Sequence, residues 1–267
     1  MKLFRRVKSE LYLLLNLLKR LKYFEVTTLI RFYVLRILKK NKIYEIRIKL
    51  DIGNKINVIK LYIRPFSHDI CAVLEVLCDN IYLSNNQLVE YRYKRILDIG
   101  AHIGTFTVLS HYYFNPELVV AVEPDRENIK ILKKNIQLNG VRAHILCGAI
   151  DSKTGITEFY IRKNNDGPIR TTTLKSGALE IRRVKSIALD ELIDKYKIDF
   201  IKMDCEGAEF KALLSSKQLC KIKAIVMEYH KWGGNPEDLV KFLRDLGFKI
   251  LYIKDCDTMG ILHAVQE

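Results

Sequence analysis

The segment KMDCEGAE at residues 202–209 carries three carboxylates at the end of an apolar run. They belong to Asp204, Glu206 and Glu209. Carboxylates grouped in this way can take a proton from a substrate hydroxyl or balance a cationic ligand, and they repel phosphate groups. The segment therefore predicts a site that accepts protons or positive charge, and it disfavours a cofactor that contains a pyrophosphate.

A second apolar run ends in MEYH at residues 227–230 and adds Glu228 and His230. An ordinary histidine has a pKa of about 6.5, so His230 could act as a base, although a structural histidine is the alternative. We predict that the catalytic residues come from both strand ends: Asp204, Glu206, Glu228 and His230. The three carboxylates of this set could also hold Mg²⁺ and activate a hydroxyl. Because the sequence does not bring them to one point, a metal-free mechanism is preferred.

The turn ILDIGAHIGTF at residues 96–106 is the candidate cofactor loop. Gly100 and Gly104 follow an apolar run, where glycine lets the backbone approach a ligand and the next helix offers free N–H groups. Glu123 ends the next run, 23 residues after Gly100, where an acid can accept both hydroxyls of a ribose. The turn lacks the third glycine of G-x-G-x-x-G. Together with the acidic segment, this favours S-adenosylmethionine over NAD.

The elements that must position these residues alternate from Arg95 onward. Short apolar runs, separated mostly by helical patterns at 103–113, 125–138, 207–217 and 236–246, are ILDI (96–99), LVVAVE (118–123), HILCGAI (144–150), FIKMD (200–204) and AIVMEY (224–229). Such runs predict a parallel sheet that is covered on both faces. FKILYIK (248–254) and MGILHAVQ (259–266) are joined so closely that one of them must be antiparallel. Residues 151–186 interrupt the alternation and predict an insertion over the ligand edge of the sheet.

The start of the chain differs in charge from the remainder. Residues 1–64 hold 17 Lys and Arg against four Asp and Glu, whereas the rest of the chain is almost neutral. Apolar residues three and four apart predict helices in residues 1–40, and Gly53-Asn54 predicts a hairpin turn between two strands. We therefore divide the chain into a basic N-terminal extension, residues 1–58, and a catalytic domain, residues 59–267. Basic amphipathic helices favour peripheral contact with an anionic membrane, and a basic helical cap on the core is the alternative.

The composition predicts a cytoplasmic protein. Hydrophobic residues make up 49% of the 267 residues and charged residues 28%, as in soluble globular domains. The apolar stretch LYLLLNLL at 11–18 is too short to span a bilayer, and basic residues follow it where a signal peptide has its cleavage site. The six cysteines form no C-x-x-C pair, which favours buried free thiols in a reducing compartment. Peripheral location at the inner face of the membrane would follow from the basic extension.

Four segments together resemble the signature segments of the FkbM-family S-adenosylmethionine-dependent methyltransferases. They are ILDIGAHIGTF (96–106), AVEPDRENIKILKKNIQLN (121–139), IDFIKMDCEGAEFKALL (198–214) and MEYH (227–230). IRPFSHDICAVLEVL (63–77) is similar to the upstream segment of that family, and the resemblance covers roughly residues 60–265. It implies an α/β class I methyltransferase (Rossmann-like) fold, with a mostly parallel sheet, an antiparallel C-terminal strand and helices on both faces.

The resemblance also implies which residues bind the cofactor: Asp98, Gly100, His102, Gly104, Glu123 and Asp151. The aspartate and the two glycines of the loop are expected around the methionine part, and Glu123 on the ribose. At the adenine amine, Asp151 and the backbone of Ala149 or Ile150 are equal alternatives. His102 stands where the family commonly has asparagine, which leaves its role open. Arg64 and Asp69 either close over the cofactor or substrate, or pair with each other as a structural cap.

The expected reaction is O-methylation of a hydroxyl on a sugar, a glycan or another small-molecule acceptor. One rival is an RNA methyltransferase or nucleic-acid-binding module that uses the basic N-terminus, although the acidic segment lacks an N/D-P-P-Y/F motif. Other rivals are an NAD-dependent oxidoreductase and a non-enzymatic scaffold. Arg162, Lys163 and Arg170, around the turn NNDG at 164–167, could meet an acidic or phosphorylated substrate, or form a solvated charge run.

Overall fold

The computed structural model describes residues 2–38, 42–162, 170–172 and 180–267. Its helices are α1 (Lys2–Lys19), α2 (Val26–Ile37), α3 (Asp69–Val73), α4 (Asn86–Val89), α5 (Thr105–Phe114), α6 (Arg126–Asn139), α7 (Leu189–Tyr196), α8 (Glu209–Leu214) and α9 (Pro236–Asp245). Its strands are β1 (Tyr44–Ile52), β2 (Lys55–Ile63), β3 (Arg95–Ile99), β4 (Leu118–Glu123), β5 (Ala143–Cys147), β6 (Ala149–Asp151), β7 (Gly155–Arg162), β8 (Arg170–Thr172), β9 (Glu180–Ala188), β10 (Phe200–Met203), β11 (Ala224–His230), β12 (Phe248–Asp255) and β13 (Met259–Gln266). A π-helical turn, Leu74–Cys78, extends α3.

A seven-stranded sheet with the order β12-β13-β11-β10-β3-β4-β5 forms the centre. The five strands from β11 to β5 pair in parallel, and β13 pairs antiparallel with both β11 and β12. Successive side chains of β11 enter two different apolar clusters, with Ala224 and Val226 in one and Ile225 and Met227 in the other. The first cluster includes residues of α5 and α6, and the second includes residues of α7, α8 and α9. The predicted sheet, its antiparallel C-terminal strand and its helices on both faces are confirmed.

The predicted strand HILCGAI is wrong as a single strand, because the chain leaves the main sheet at Gly148. β5 ends before this glycine, and β6 after it belongs to a second sheet with the order β6-β9-β7-β8. A Cβ atom at position 148 would lie 2.8 Å from the carbonyl oxygen of Lys185, so only glycine lets the chain pass β9 at this distance. Helix α7 was not predicted, although Leu189, Leu192 and Ile193 are buried on one side of it.

The prediction of buried thiols is correct only in part. All six cysteines are unpaired, but Cys147, Cys220 and Cys256 are exposed. Cys147 ends the edge strand β5, and Cys256 lies in the turn between β12 and β13, so neither has a layer above it.

The start of the chain folds as two helices and a hairpin. Gly53 and Asn54 both have φ of 62°, the left-handed conformation that a two-residue hairpin turn requires, and β1 and β2 pair antiparallel around them. The inward side chains of the hairpin share one apolar cluster with α2 and with the main sheet. The expected domain boundary after residue 58 falls inside β2. Among the helices that the structure describes, none is long and apolar enough to cross a membrane.

Two asparagine side chains of α6 cover the free edge of β2. Asn135 accepts a hydrogen bond from the backbone N–H of Tyr62 (2.6 Å) and donates to its carbonyl oxygen (3.2 Å). Asn139 makes the same pair of bonds with the backbone of Lys60, at 3.4 and 2.7 Å. These contacts fix the hairpin against the helix that follows β4.

Candidate active site

A cavity of about 800 Å³ lies at the carboxyl ends of β3, β4, β10 and β11. Open α/β sheets bind ligands at this edge. Most of the predicted site residues line it, and they are Arg64, Gly100, His102, Glu123, Asp204, Glu206, Glu228 and His230. Four predicted residues do not line the cavity: Asp69, Asp98, Gly104 and Asp151.

Glu123, at the end of β4, is buried against three N–H donors. Its Oε2 accepts from the backbone of His102 (2.8 Å), and its Oε1 accepts from the backbone of Asp125 (2.9 Å) and the side chain of Asn128 (3.1 Å). Burial nevertheless raises the pKa of Glu123 to about 7. A carboxylate has about four acceptor positions, so one remains for a ligand.

His102 lies in the left-handed region with a φ of 51°, a conformation that asparagine and histidine adopt more readily than most residues. Its backbone N–H therefore reaches Glu123, while its ring lies beside Asp69, with 3.5 Å between Nε2 and Oδ1. Burial lowers the pKa of the ring. His102, whose role the sequence left open, thus links the loop after β3 to the upstream segment that carries Asp69.

The two loop glycines are required by packing. A Cβ atom at Gly100 would lie 1.7 Å from the carbonyl oxygen of Asp204, because the loops after β3 and β10 touch here. At Gly104 a Cβ atom would lie 2.5 Å from Leu132 of α6. Only Gly100 lines the cavity, whereas Gly104 lies in the contact between α5 and α6, so the expected contact of Gly104 with the cofactor stays a prediction.

Asp98 is fully buried behind the loop and does not line the cavity, so its expected place around the methionine part of the cofactor stays a prediction. It accepts a hydrogen bond from the hydroxyl of Thr107 (2.5 Å) and pairs with Lys202 on β10 (3.3 Å). Lys202 also donates to the carbonyl oxygen of Gly100 (3.0 Å), and its ammonium lies 5.2 Å from the ring of Tyr82. Burial lowers the pKa of Lys202, but the charges of Asp98 and Asp204 raise it above its usual value. This pair supports the loop from below.

Asp151 does not line the cavity. Its carboxylate accepts from the backbone of Ser152 (2.6 Å) and pairs with Lys211 (2.6 Å). The residues before it, Gly148 to Ile150, line the cavity, and the two alternatives for the adenine amine stay predictions. Phe159, Ile161 and Arg182 of the predicted insertion line the same wall.

Arg64 and Asp69 form the cap that was one of the two alternatives. The guanidinium binds Asp69 through two nitrogens, at 2.9 and 2.7 Å, and Asp69 has no solvent exposure. Arg64 also donates to the side chain of Asn128 (2.8 Å), which in turn donates to Glu123. Burial raises the pKa of Asp69, but its bonds with Arg64 lower it below its usual value. The cap is thus connected through Asn128 to Glu123 in the wall of the cavity.

The acidic segment after β10 brings Asp204 and Glu206 into the cavity beside Glu228 of β11. The hydroxyl of Tyr82, which is fully buried, donates to Oδ2 of Asp204 at 3.1 Å. Burial and the charge of Asp204 raise the pKa of Glu228. The carboxylates from the two strand ends thus lie in one cavity, and their role as proton acceptors stays a prediction.

His230 is surrounded by carboxylates on both ring nitrogens. Nδ1 lies 3.1 Å from Oε1 of Glu209, and Nε2 lies 3.2 Å from Glu228 and 3.6 Å from Glu206. Burial by itself would lower the pKa of His230, but hydrogen bonds with Glu209 and Glu228 raise it to about 11. At neutral pH the ring is therefore a cation, so it balances the carboxylates and cannot accept a proton.

Glu209 was noticed in the sequence but not predicted as a site residue. It is fully buried and accepts from the backbone N–H groups of Cys205 (2.9 Å) and Gly207 (2.8 Å) as well as from His230. It thereby holds the loop in which Glu206 adopts a φ of 57°.

A divalent cation could be approached by one atom from each of Asp204, Glu228 and His230, which lie within 4.8 Å of one another. A histidine binds a metal as a neutral imidazole, and both nitrogens of His230 lie beside carboxylates. A divalent cation could therefore bind here only if His230 loses its proton.

Sequence reasoning missed Lys202, Tyr82 and Trp232. The lysine had a signal, because a charged residue inside an apolar strand must have a partner. Tyr82 lies in an irregular segment without a pattern. The ring of Trp232 lies 4.5 Å from that of His230 and lines the cavity. Lys163 lies in a part of the chain that the structure does not describe, as do the side chains of Arg162 and Arg170.

The model of the methyltransferase FkbM domain matches residues 98–250. No curated protein sequence matches the chain.

Solved structures to which the chain is similar include M. jannaschii TYW2 in complex with AdoMet, with 15% identity, 82% of this chain and 84% of that chain covered and a TM-score of 0.41. M. capricolum TrmK in complex with S-adenosyl-homocysteine has 13% identity, coverage of 68% and 66% and a TM-score of 0.41. Precorrin-6y C5,15-methyltransferase from Geobacter metallireducens has 12% identity, coverage of 72% and 88% and a TM-score of 0.41.

Proposed function

This chain belongs to the FkbM methyltransferase family, and we propose that it methylates a hydroxyl of a sugar, a glycan or another small-molecule acceptor. Family membership makes it a methyltransferase with S-adenosylmethionine as its cofactor. One observation carries the proposal of a hydroxyl acceptor: Glu123 and the carboxylates Asp204 and Glu228 line a single cavity. In the sheet, β3 and β10 separate the strand of Glu123 from that of Glu228, so the two groups lie on different sides of this cavity.

The residues on the β4 side fit the cofactor. Glu123 retains an acceptor position for a ribose hydroxyl, and Val122, Ile150 and Phe159 provide apolar surface for a purine. Asp204 supplies negative charge at the end of β10, two strands away from β4, which suits a sulfonium. When bound, S-adenosylmethionine supplies a methyl group that is activated by positive charge on sulfur.

The residues on the β11 side suit an alcohol. Asp204 uses one oxygen for Tyr82, which leaves its other oxygen to accept a hydrogen bond from a substrate hydroxyl. Glu228, whose pKa is raised, would take the hydroxyl proton as the oxygen is alkylated. His230 would remain a cation throughout and balance the carboxylates, and Trp232 would offer a flat face to a sugar ring.

The same acidity argues against the rivals. A nucleic acid or the pyrophosphate of NAD would bring phosphates to a cavity whose walls carry Asp204, Glu206 and Glu228. Sugars attached to lipids belong to the proposed acceptor class, and the membrane contact predicted for residues 1–40 would bring them to the cavity.

The acceptor can be found by comparing glycans, lipid extracts and small metabolites from cells that express wild type or Glu228→Gln. We expect an O-methylated compound in the wild-type sample only, formed equally well with a chelator present. Calorimetry with S-adenosylhomocysteine should give the same affinity for both proteins. Methylated RNA with unmodified small molecules would contradict the proposed acceptor, and a fully active Glu228→Gln would contradict the proposed base.

A further inference from the structure

Helix α1 carries apolar side chains on two opposite faces. Leu17 is buried in the core, and Leu13 packs against it. Leu11, Leu15 and Leu18 point outward and are about half exposed, at spacings of four and three residues. The inward side chains attach the helix to the core by packing, but the outward side chains have no such role.

Helix α2 repeats this arrangement. Leu29 and Phe32 are buried, whereas Ile30, Val34 and Ile37 lie outward at spacings of four and three, and Ile37 is 76% exposed. Exposed apolar side chains that share a helix face mark a surface that meets an apolar partner. The outward side chains of α1 and α2 are called the outer face below.

Charge identifies the partner. Residues 1–42 hold 12 Lys and Arg and only two Glu. Of these, Lys19, Lys22 and Arg31 are exposed next to the outer face. Helices with aliphatic side chains on a face bordered by basic residues lie in the interface of membranes that contain anionic lipids. We propose that the outer face of α1 and α2 docks on an anionic lipid bilayer.

Other occupants fit less well. A second copy of the chain would bring two strongly basic surfaces together, and like charges across an interface are costly. RNA would use the positive charge, but it is bound through phosphate contacts and aromatic stacking rather than through leucine and isoleucine stripes. A bilayer satisfies both the charge and the aliphatic side chains.

The outer face is close to the cavity. Arg36 of α2 donates to the carbonyl oxygen of Pro65, and its guanidinium lies 5.2 Å from the ring of Phe66. Phe66 lines the cavity. If the proposed function holds, docking would present the cavity to acceptors at the membrane surface.

The test is flotation of the full chain with vesicles of phosphatidylglycerol and phosphatidylcholine in equal parts. Wild type should float with these vesicles. It should bind vesicles of pure phosphatidylcholine, or the mixed vesicles at high salt, at least about tenfold more weakly. A variant with Ile30→Ser, Val34→Ser and Ile37→Ser should lose binding by about tenfold or more. Because these side chains are exposed, the variant should fold and bind S-adenosylhomocysteine as wild type does, whether or not an acceptor is known.

The matched control replaces three exposed isoleucines elsewhere, with Ile156→Ser, Ile181→Ser and Ile253→Ser, and should float like wild type. Flotation of the outer-face variant at the wild-type level would overturn the proposal. So would a wild-type dimer in light scattering that the outer-face variant breaks, since the occupant would then be a second copy. Salt-sensitive binding to RNA without binding to vesicles would overturn it in favour of a nucleic acid.

Discussion

The Nδ1 atom of His230 lies 3.1 Å from the Oε1 atom of Glu209, a carboxylate without solvent exposure. Glu209 also accepts from two backbone N–H groups of the acidic segment. One buried side chain therefore fixes both the loop that carries Asp204 and Glu206 and the ring that faces Glu228. We infer that it is a positioning residue.

Replacing Glu209 by Gln should lower the pKa of His230 by about one to two units, because the ring loses one of the carboxylates that hold its proton. The other groups that face the ring are Glu206, Glu228 and Trp232, and they remain. NMR titration of the imidazole, assigned with His230→Gln, measures the change. Glu191→Gln, an exposed position on α7, should leave the titration as in wild type. An unchanged pKa in Glu209→Gln would leave Glu209 with a role in the loop alone.

Glu123→Ala should weaken binding of S-adenosylhomocysteine about ten- to hundredfold, since a hydrogen bond to a charged group contributes about 1.5 to 3 kcal/mol. Isothermal titration calorimetry measures the affinity. Glu191→Ala serves as the control and should bind as wild type. Equal affinities of the Glu123 variant and the control would remove Glu123 from the cofactor site.

The stability of the protein should depend on the protonation of Glu123. Its pKa is about 7 in the folded protein, against about 4.3 for an unfolded glutamate, so the folded state binds more protons between these values. The free energy of unfolding therefore falls as the pH rises through this window, by roughly 4 kcal/mol for this group. Relative to wild type, Glu123→Gln should become progressively more stable from about pH 4.3 to about pH 7 in urea unfolding.

His230 contributes with the same sign over a different range. Its pKa is raised to about 11, so its stabilising effect is complete below about pH 6.5 and is lost as the pH rises toward the folded value. Because both proteins in the Glu123 comparison contain His230, this contribution cancels. Parallel pH profiles for wild type and Glu123→Gln would show that Glu123 titrates normally.

Gly100→Ala should cost more than about 3 kcal/mol of stability, because it adds a steric overlap to a strained backbone. The new Cβ atom would lie 1.7 Å from the carbonyl oxygen of Asp204. Gly140 offers a matched control: it also has positive φ, but a Cβ atom there meets nothing within 4 Å. Gly140→Ala should cost only about 1 kcal/mol. Similar shifts in denaturant midpoint for the two variants would mean that the loop after β10 moves aside freely.

Much of the fold follows from local patterns. The apolar run of β4 is buried on both faces, and the sequence shows this directly because no polar residue interrupts the run before Glu123. The break at Gly148 could not be predicted, since it depends on the approach of Lys185, which is distant in sequence.

The candidate site, too, could be predicted only in part from the sequence. Parallel strands end at one edge, so Glu123, Asp204 and Glu228 were expected at that edge, and all three line the cavity. The direction of a side chain at that edge depends on its partners. Asp98 turns to Lys202 and Asp151 to Lys211, and neither partner can be identified from spacing.

The asparagine pair of α6 has a further consequence for β2. A strand at the border of a sheet offers unpaired N–H and carbonyl groups to any other extended chain, and this is a common start of aggregation. At Lys60 and Tyr62 these groups are already bound to Asn139 and Asn135. The helix thereby imitates a neighbouring strand, so the hairpin of this strongly apolar region is protected against recruitment into intermolecular sheets.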